Sequence, residues 1–351
     1  MKKTLLATAI AGAMGLSAAA AQAATVYDQD GTRLDLGGRI AVGVSNTDGS
    51  ATKDSGSEFR NIYSRLHLSG SNQISQDLRA FGYVEWRFTG DEQDTDSGFS
   101  EVRNSYIGVE SQQFGTVMAG NFNSLYNSRV VTAFDYYIDR GAEMTAGDFN
   151  ARGDSIAYLT PNLEGFQAFV AAKHYSQNDN DALDGSKVRT QGGVSYEVSG
   201  LTLTAGWAEP SPVTDIDALV QVDLLDANGD PVPDPVFVEG TEQVQTSNKT
   251  RFGGTASYAF NDMVSARIGI DNQRDLDTEV YGLGTTVSLG ELTFAADYFR
   301  VETPSGERNR NAYAFGAYYQ VSSNMDTFVE INEADQRDQD TYVLAGARYF
   351  F

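Results

Sequence analysis

Beyond residue 23 the chain reads as runs of about ten residues in which apolar and polar side chains alternate, divided by breaks that are short and long in turn. Alternation with period two sends successive side chains to opposite faces of a strand, so each run has one apolar and one mixed face. The runs fall near 33–46, 58–71, 76–89, 99–111, 115–121, 153–160, 165–176, 188–199, 201–209, 247–260, 262–273, 278–289, 291–302, 308–321, 325–334 and 340–351, sixteen in all. Short breaks carry turn residues, as in Pro161-Asn162-Leu163-Glu164, Ser199-Gly200, Asn261-Asp262 and Gly290-Glu291. Long ones are acidic, as in Asp91-Glu92-Gln93-Asp94-Thr95-Asp96. An even strand number with short turns at one end and long loops at the other predicts an all-β fold, a sixteen-stranded antiparallel transmembrane β-barrel. A soluble antiparallel protein would alternate in the same way, and the two ends of the chain argue against it.

Lys2 and Lys3 precede a small-residue apolar stretch and then Ala21-Gln22-Ala23, the layout of an export signal cleaved after Ala23. The expected division is residues 1–23 as signal peptide and 24–351 as barrel, and the loss of Lys2 and Lys3 takes the net charge from −23 to −25. A membrane anchor would want bulky apolar residues where this segment has Ala and Gly. The last run ends on Phe351, with Val343, Ala345, Ala347 and Tyr349 on the same face and Leu344, Gly346 and Arg348 on the other.

Within other runs the faces separate likewise. Leu34, Leu36, Ile40, Val42 and Val44 oppose Asp35, Gly37, Arg39 and Ala41, while Leu78, Ala80, Val84 and Trp86 oppose Arg79, Tyr83, Glu85 and Arg87. Beyond the leader no stretch is long and apolar enough to cross a bilayer as a helix, so a membrane location rests on strands. Cysteine is absent, which removes disulfides and thiolate metal sites. With 48 acidic residues against 25 Lys and Arg, the chain has no basic surplus for nucleic acid. The same balance suits a pore that attracts cations, or solvated acidic loops.

Two breaks are unusually long. Asn121 to Arg152 contains Leu125, Val130, Val131, Phe134, Tyr136, Tyr137 and Ile138, too apolar for a solvent loop, and is expected to fold back inside the barrel. Pro210 to Thr246 is rich in proline and acids; Asp223 to Pro231 faintly suggests a calcium loop, but incomplete ligand spacing favours a solvated loop.

Asp30-Gly31-Thr32-Arg33-Leu34-Asp35-Leu36-Gly37-Gly38-Arg39 resembles the first strand of Gram-negative general diffusion porins, and Arg152-Gly153-Asp154-Ser155-Ile156-Ala157-Tyr158-Leu159-Thr160-Pro161 the family's segment leaving its third loop. With the terminal Phe351, the resemblance spans the mature chain. It implies an outer-membrane homotrimer whose third loop forms an eyelet passing small hydrophilic solutes and ions, with lipopolysaccharide and the barrel-assembly machinery as partners and no cofactor. By the same resemblance Arg39, Arg65 and Arg103, in runs one, two and four and read on the face opposite the apolar set, match the basic wall of the constriction, with Arg152 a looser match. Asp135 and Asp139 match the facing carboxylates through a short insertion, and Glu143 is a further candidate. Arginine suits such a wall because it stays charged and its guanidinium groups stack. The expected channel prefers cations.

An enzymatic barrel would need a histidine beside Asp or Ser, and neither His67 nor His174 lies in a catalytic motif. A substrate-specific channel would need a strong basic binding site or an aligned aromatic track, to which Phe134, Tyr136 and Tyr137 could contribute, although apolar residues of such a loop more often fix it to the barrel wall.

Overall fold

The computed structural model describes residues 23–46, 57–91, 98–144, 153–179, 183–222, 236–245, 249–274, 277–303, 309–334 and 341–351. The first half of the sheet comprises β1 (Ala24–Gln29), β2 (Thr32–Ser45), β3 (Glu58–Asn61), β4 (Arg65–Gln73), β5 (Leu78–Arg87), β6 (Glu101–Ser111), β7 (Gly115–Asn121), β8 (Ser155–Leu159), β9 (Phe166–Tyr175), β10 (Lys187–Val198) and β11 (Leu201–Ala208). After a separate hairpin of β12 (Val213–Val222) and β13 (Val236–Gln245) it resumes with β14 (Arg251–Ala259), β15 (Val264–Gln273), β16 (Thr278–Leu289), β17 (Leu292–Glu302), β18 (Arg310–Ser322), β19 (Met325–Ala334) and β20 (Tyr342–Phe350). Every pairing is antiparallel, and Arg39 of β2 lies opposite Arg65 of β4 on one side and Phe350 of β20 on the other, which closes the ring. With β3 and β4 as two halves of one interrupted strand, and β1 continuing the line of β20 along β2, the eighteen strands of this sheet make a sixteen-stranded barrel. Closure through β2 and β20 removes the open edges a flat sheet would have, which a bilayer demands because hydrocarbon offers no hydrogen-bond partner.

The faces follow the alternation. Leu34, Ile40 and Val44 of β2 are exposed while Ala41, Gly43 and Ser45 are buried. In β20, Ala345 and Tyr349 are exposed, and Tyr342, Leu344, Arg348 and Phe350 are buried. The surface is thus apolar and the interior holds the charges, the reverse of a soluble protein.

The first strand was not among the alternating runs. β1 turns through Asp30 and Gly31, both at positive φ (52° and 74°), and pairs with the start of β2, where Ala24 lies opposite Leu36. Such a two-residue turn with positive φ twice is the hairpin form that Asp-Gly favours. β20 covers the rest of β2, from Arg39 to Ser45, so β20 and β1 form one line along β2, interrupted between Phe351 and Ala24.

Pro210 to Thr246, read as a loop, contains a regular ladder: β12 pairs with β13 from Val213 opposite Gln245 to Val222 opposite Val236. The alternating apolar residues Ile216, Ala218, Val220 and Val222 explain the strand. Asp223 to Pro231, the calcium-like stretch, lies outside the described residues, as does the leader up to Gln22.

Candidate functional site

The inner faces of β2, β4, β5 and β6 bring three arginines together. Arg39 and Arg65 are direct cross-strand partners. Arg39 donates from Nε to the Tyr63 carbonyl at 3.2 Å. Arg65 and Arg103 share one oxygen of Glu85, with Nη1 to Oε1 distances of 3.7 and 2.9 Å. Asn104 donates to the same oxygen at 3.3 Å, and the Tyr83 hydroxyl to the other at 2.9 Å. Glu85 is only 4% exposed, so its charge is sealed against the wall while the guanidinium groups reach water. Three hydrogen-bond donors and the Arg65 charge gathered on one carboxylate hold the arginine heads in place.

Arg103 reaches this row for a reason that alternation does not contain. It has the parity of Ile107 and Val109, which are 71% and 41% exposed, and strict alternation would send it outward. Between Glu85 and Trp86 the register slips: Glu85 opposes Asn104 and Trp86 opposes Val102, which leaves Arg103 as the extra residue of a bulge. A bulge puts two neighbouring side chains on one face, and Arg103 and Asn104 indeed bond the same carboxylate. The break at 62–64 between β3 and β4 has a similar effect, with Tyr63 at φ 56°. Arg60 and Arg65 have opposite parity, yet Arg60 meets Asp139 and Arg65 meets Glu85. Arg60 and Glu85 are the residues that sequence reasoning missed. Glu85 was on the inward face beside Tyr83, whereas Arg60 was hidden by the change of frame.

The segment after β7 is bonded to the buried face of the sheet along most of its length. Ser124 caps α1 (Leu125–Arg129) by accepting from the Asn127 amide, and the Tyr126 amide donates to Gln191 at 2.8 Å. The Tyr126 hydroxyl donates to Asp271 at 2.6 Å, and Thr255 donates to the Val130 carbonyl at 3.1 Å. Phe134 packs on Phe299 with ring centres 5.4 Å apart. Tyr137 donates to the Ala314 carbonyl at 2.8 Å, and Glu330 accepts from the Ile138 amide at 2.7 Å and from Tyr318 at 2.8 Å. The aromatic residues of this segment are therefore packed against the sheet: Phe134, Tyr136 and Tyr137 are all buried.

The three acids of this segment have different surroundings. Asp139 accepts from Arg60 at 3.1 Å and from Tyr63 at 3.0 Å, and also from Tyr342. Glu143 holds Arg310 through both oxygens, one bond measuring 2.9 Å. Asp135 is exposed, and Arg103 is the charged group that acts on it. Arg152 lies outside the described residues. Among the described residues no cluster of side chains is arranged to hold a metal ion, and neither His67 nor His174 is bonded through its ring to a carboxylate.

A closed barrel with a charged interior and an apolar exterior separates membrane channels from soluble β-proteins, and the sequence decides the family: the model of the Gram-negative porins matches residues 7–339. The chain belongs to the Gram-negative porin family. The porin is similar to the monosaccharide porin of a Halomonas species, at 28% identity over 396 aligned residues and 100% of both chains. Its fold is that of OmpF from Salmonella typhi, solved in complex with daunomycin (TM-score 0.67, 18% identity, 93% of this chain and 100% of that one). It is likewise that of the anion-selective porin from Comamonas acidovorans (TM-score 0.66, 17% identity, 91% and 100%). This porin is an outer-membrane protein, and its family and fold are those of passive-diffusion channels rather than enzymes.

Proposed function

We propose that this porin is a general diffusion channel, open to water, for small hydrophilic solutes and ions, assembled as a homotrimer after removal of residues 1–23. In this reading the segment from Phe122 to Met144 lies in the lumen and narrows it. Arg39, Arg65 and Arg103, with Arg152, line one side of the constriction, and Asp135 faces them, while Asp139 and Glu143 tie the segment to the wall. The observation that carries it is the arginine row itself, in which the Arg65 and Arg103 side chains stay partly exposed while their shared counter-ion Glu85 is buried. Fixed charge at a narrow point sieves solutes electrostatically, without bond breaking.

Cation preference belongs to the proposal through the net charge of −25 left once Lys2 and Lys3 are removed from the −23 of the full chain, and through the exposed Asp135. Lipopolysaccharide around the barrel and the assembly machinery at Phe351 complete the set of partners. A substrate-specific channel is the second reading, favoured by the name of the Halomonas relative, a monosaccharide porin. Planar-bilayer recording in a salt gradient tests the first: conductance closing in three equal steps with a cation-selective reversal potential is expected. Liposome swelling with sugars of graded size separates the two, because a general pore gives a smooth cutoff and a specific one saturates.

A further inference from the structure

Next to the arginine row the same wall carries a strip of aromatic rings that nothing in the diffusion reading requires. His67 stacks on Tyr83 with ring centres 5.5 Å apart and an interplanar angle of 28°, and Tyr83 stacks on Tyr106 at 5.3 Å and 27°. Each ring is half-buried, so an apolar edge remains at the water. The Tyr106 hydroxyl and the His67 ring nitrogens have no hydrogen-bond partner among the described residues, which leaves donors and acceptors free. His67 stands two residues from Arg65 on β4, and Tyr83 two residues from Glu85 on β5. Two residues along a strand span about 7 Å, the length of a hexose ring with one substituent.

We infer that the arginine row and the His67–Tyr83–Tyr106 strip form one binding station for a small sugar that carries an anionic group, a carboxylate or a phosphate. The inference deepens the diffusion-channel reading and rests on it. Guanidinium forks take carboxylate and phosphate oxygens through paired bonds, and Arg39 has this capacity to spare: its Nε bond goes to a neutral carbonyl. Glu85 does not repel the anion strongly, because Arg65, Arg103, Asn104 and Tyr83 cover both its oxygens. The apolar face of the sugar lies over the ring strip and its hydroxyls meet Tyr106 and His67, so each half of the ligand meets matching chemistry. Neutral sugars engage only the rings, and inorganic phosphate only the arginines. The station slows such a solute in transit, and cation preference in simple salt coexists with it.

The test is single-channel recording of the reconstituted porin with glucuronate, glucose 6-phosphate, glucose or inorganic phosphate added. Block by glucuronate and glucose 6-phosphate at concentrations about tenfold below glucose is expected, the two arms showing whether carboxylate or phosphate is preferred. In Arg39→Gln that gap should shrink to about twofold. In Tyr83→Ala the acidic sugars should lose about tenfold while inorganic phosphate keeps its weak effect. Heat-modifiable gel mobility identifies folded variants, and Tyr83→Phe, which keeps the ring, should retain most of the block. Equal block by acidic and neutral sugars, or block insensitive to both positions, overturns the station while leaving the channel intact. Absence of any current would instead sink the diffusion reading on which it stands.

Discussion

Arg267 and Asp297 reach each other over the backbone of Gly284, the residue that lies opposite both in the strand between them. Two bonds, Nε to Oδ1 at 2.8 Å and Nη2 to Oδ2 at 2.7 Å, join the pair, and both residues are buried. Phe134 and Tyr136 place their rings 5.7 and 5.2 Å from the guanidinium carbon. The ion pair is thus the floor on which this part of the segment after β7 rests.

A Cβ on residue 284 would fall 1.6 Å from Oδ1 of Asp297 and 2.7 Å from Nε of Arg267. Gly284→Ala should therefore part the pair, at a cost of about 3–5 kcal/mol for a buried charge left without its partner. Thermal unfolding in detergent checks this: a clearly lowered midpoint is expected, and an unchanged one would mean that Asp297 relocates freely.

Arg65→Ala combined with Arg103→Ala should raise single-channel conductance and cation preference, since both guanidinium groups occupy the interior and share the one carboxylate Glu85 as their ion-pair partner among the described residues. Conductance and reversal potential equal to those of the unaltered porin would remove the row from the constriction.

Asp139 ties Arg60 and the Tyr63 and Tyr342 hydroxyls to the segment after β7. Asp139→Ala leaves Arg60 without this carboxylate and loosens one fastening, about 1–3 kcal/mol of local stability. Greater open-channel current noise is the expected outcome; Glu143→Gln, which weakens the contact with Arg310, should act in the same direction, and quiet traces from both would show that the remaining bonds suffice.

Phe351 closes the ring by exchanging backbone bonds with Gly38, at 2.9 Å from the Gly38 amide and 3.1 Å from the Phe351 amide. Its ring also covers Gly38, where a Cβ would lie 2.7 Å from the Phe351 ring and 2.5 Å from the Arg65 carbonyl. Gly38→Val should accordingly reduce the heat-modifiable folded fraction in refolding assays several-fold, as should deletion of Phe351. Full yield in both would assign closure to the β2–β20 ladder alone.

The alternation of small, apolar and polar residues determined which faces look outward in most strands, because a strand's side chains switch sides every residue whatever surrounds it. Ile40 and Val44 against Ala41 and Ser45 needed nothing more. The apolar character of Phe134, Tyr136 and Tyr137 likewise announced that their segment would be covered rather than solvated. Hidden in the sequence were β1, which has no buried face, and the ladder between Val213 and Gln245. Arg103 shows the limit of alternation most clearly: its local parity points it outward, and the slip of register against Glu85 and Trp86 turns it in. The choice of partners was equally tertiary, with Asp139 going to Arg60 and Glu143 to Arg310 across 79 and 167 residues. Alternation is a property of one strand, so the sequence carries it alone; bulges and ion pairs depend on how strands far apart in the chain are set side by side, and only the closed barrel decides that.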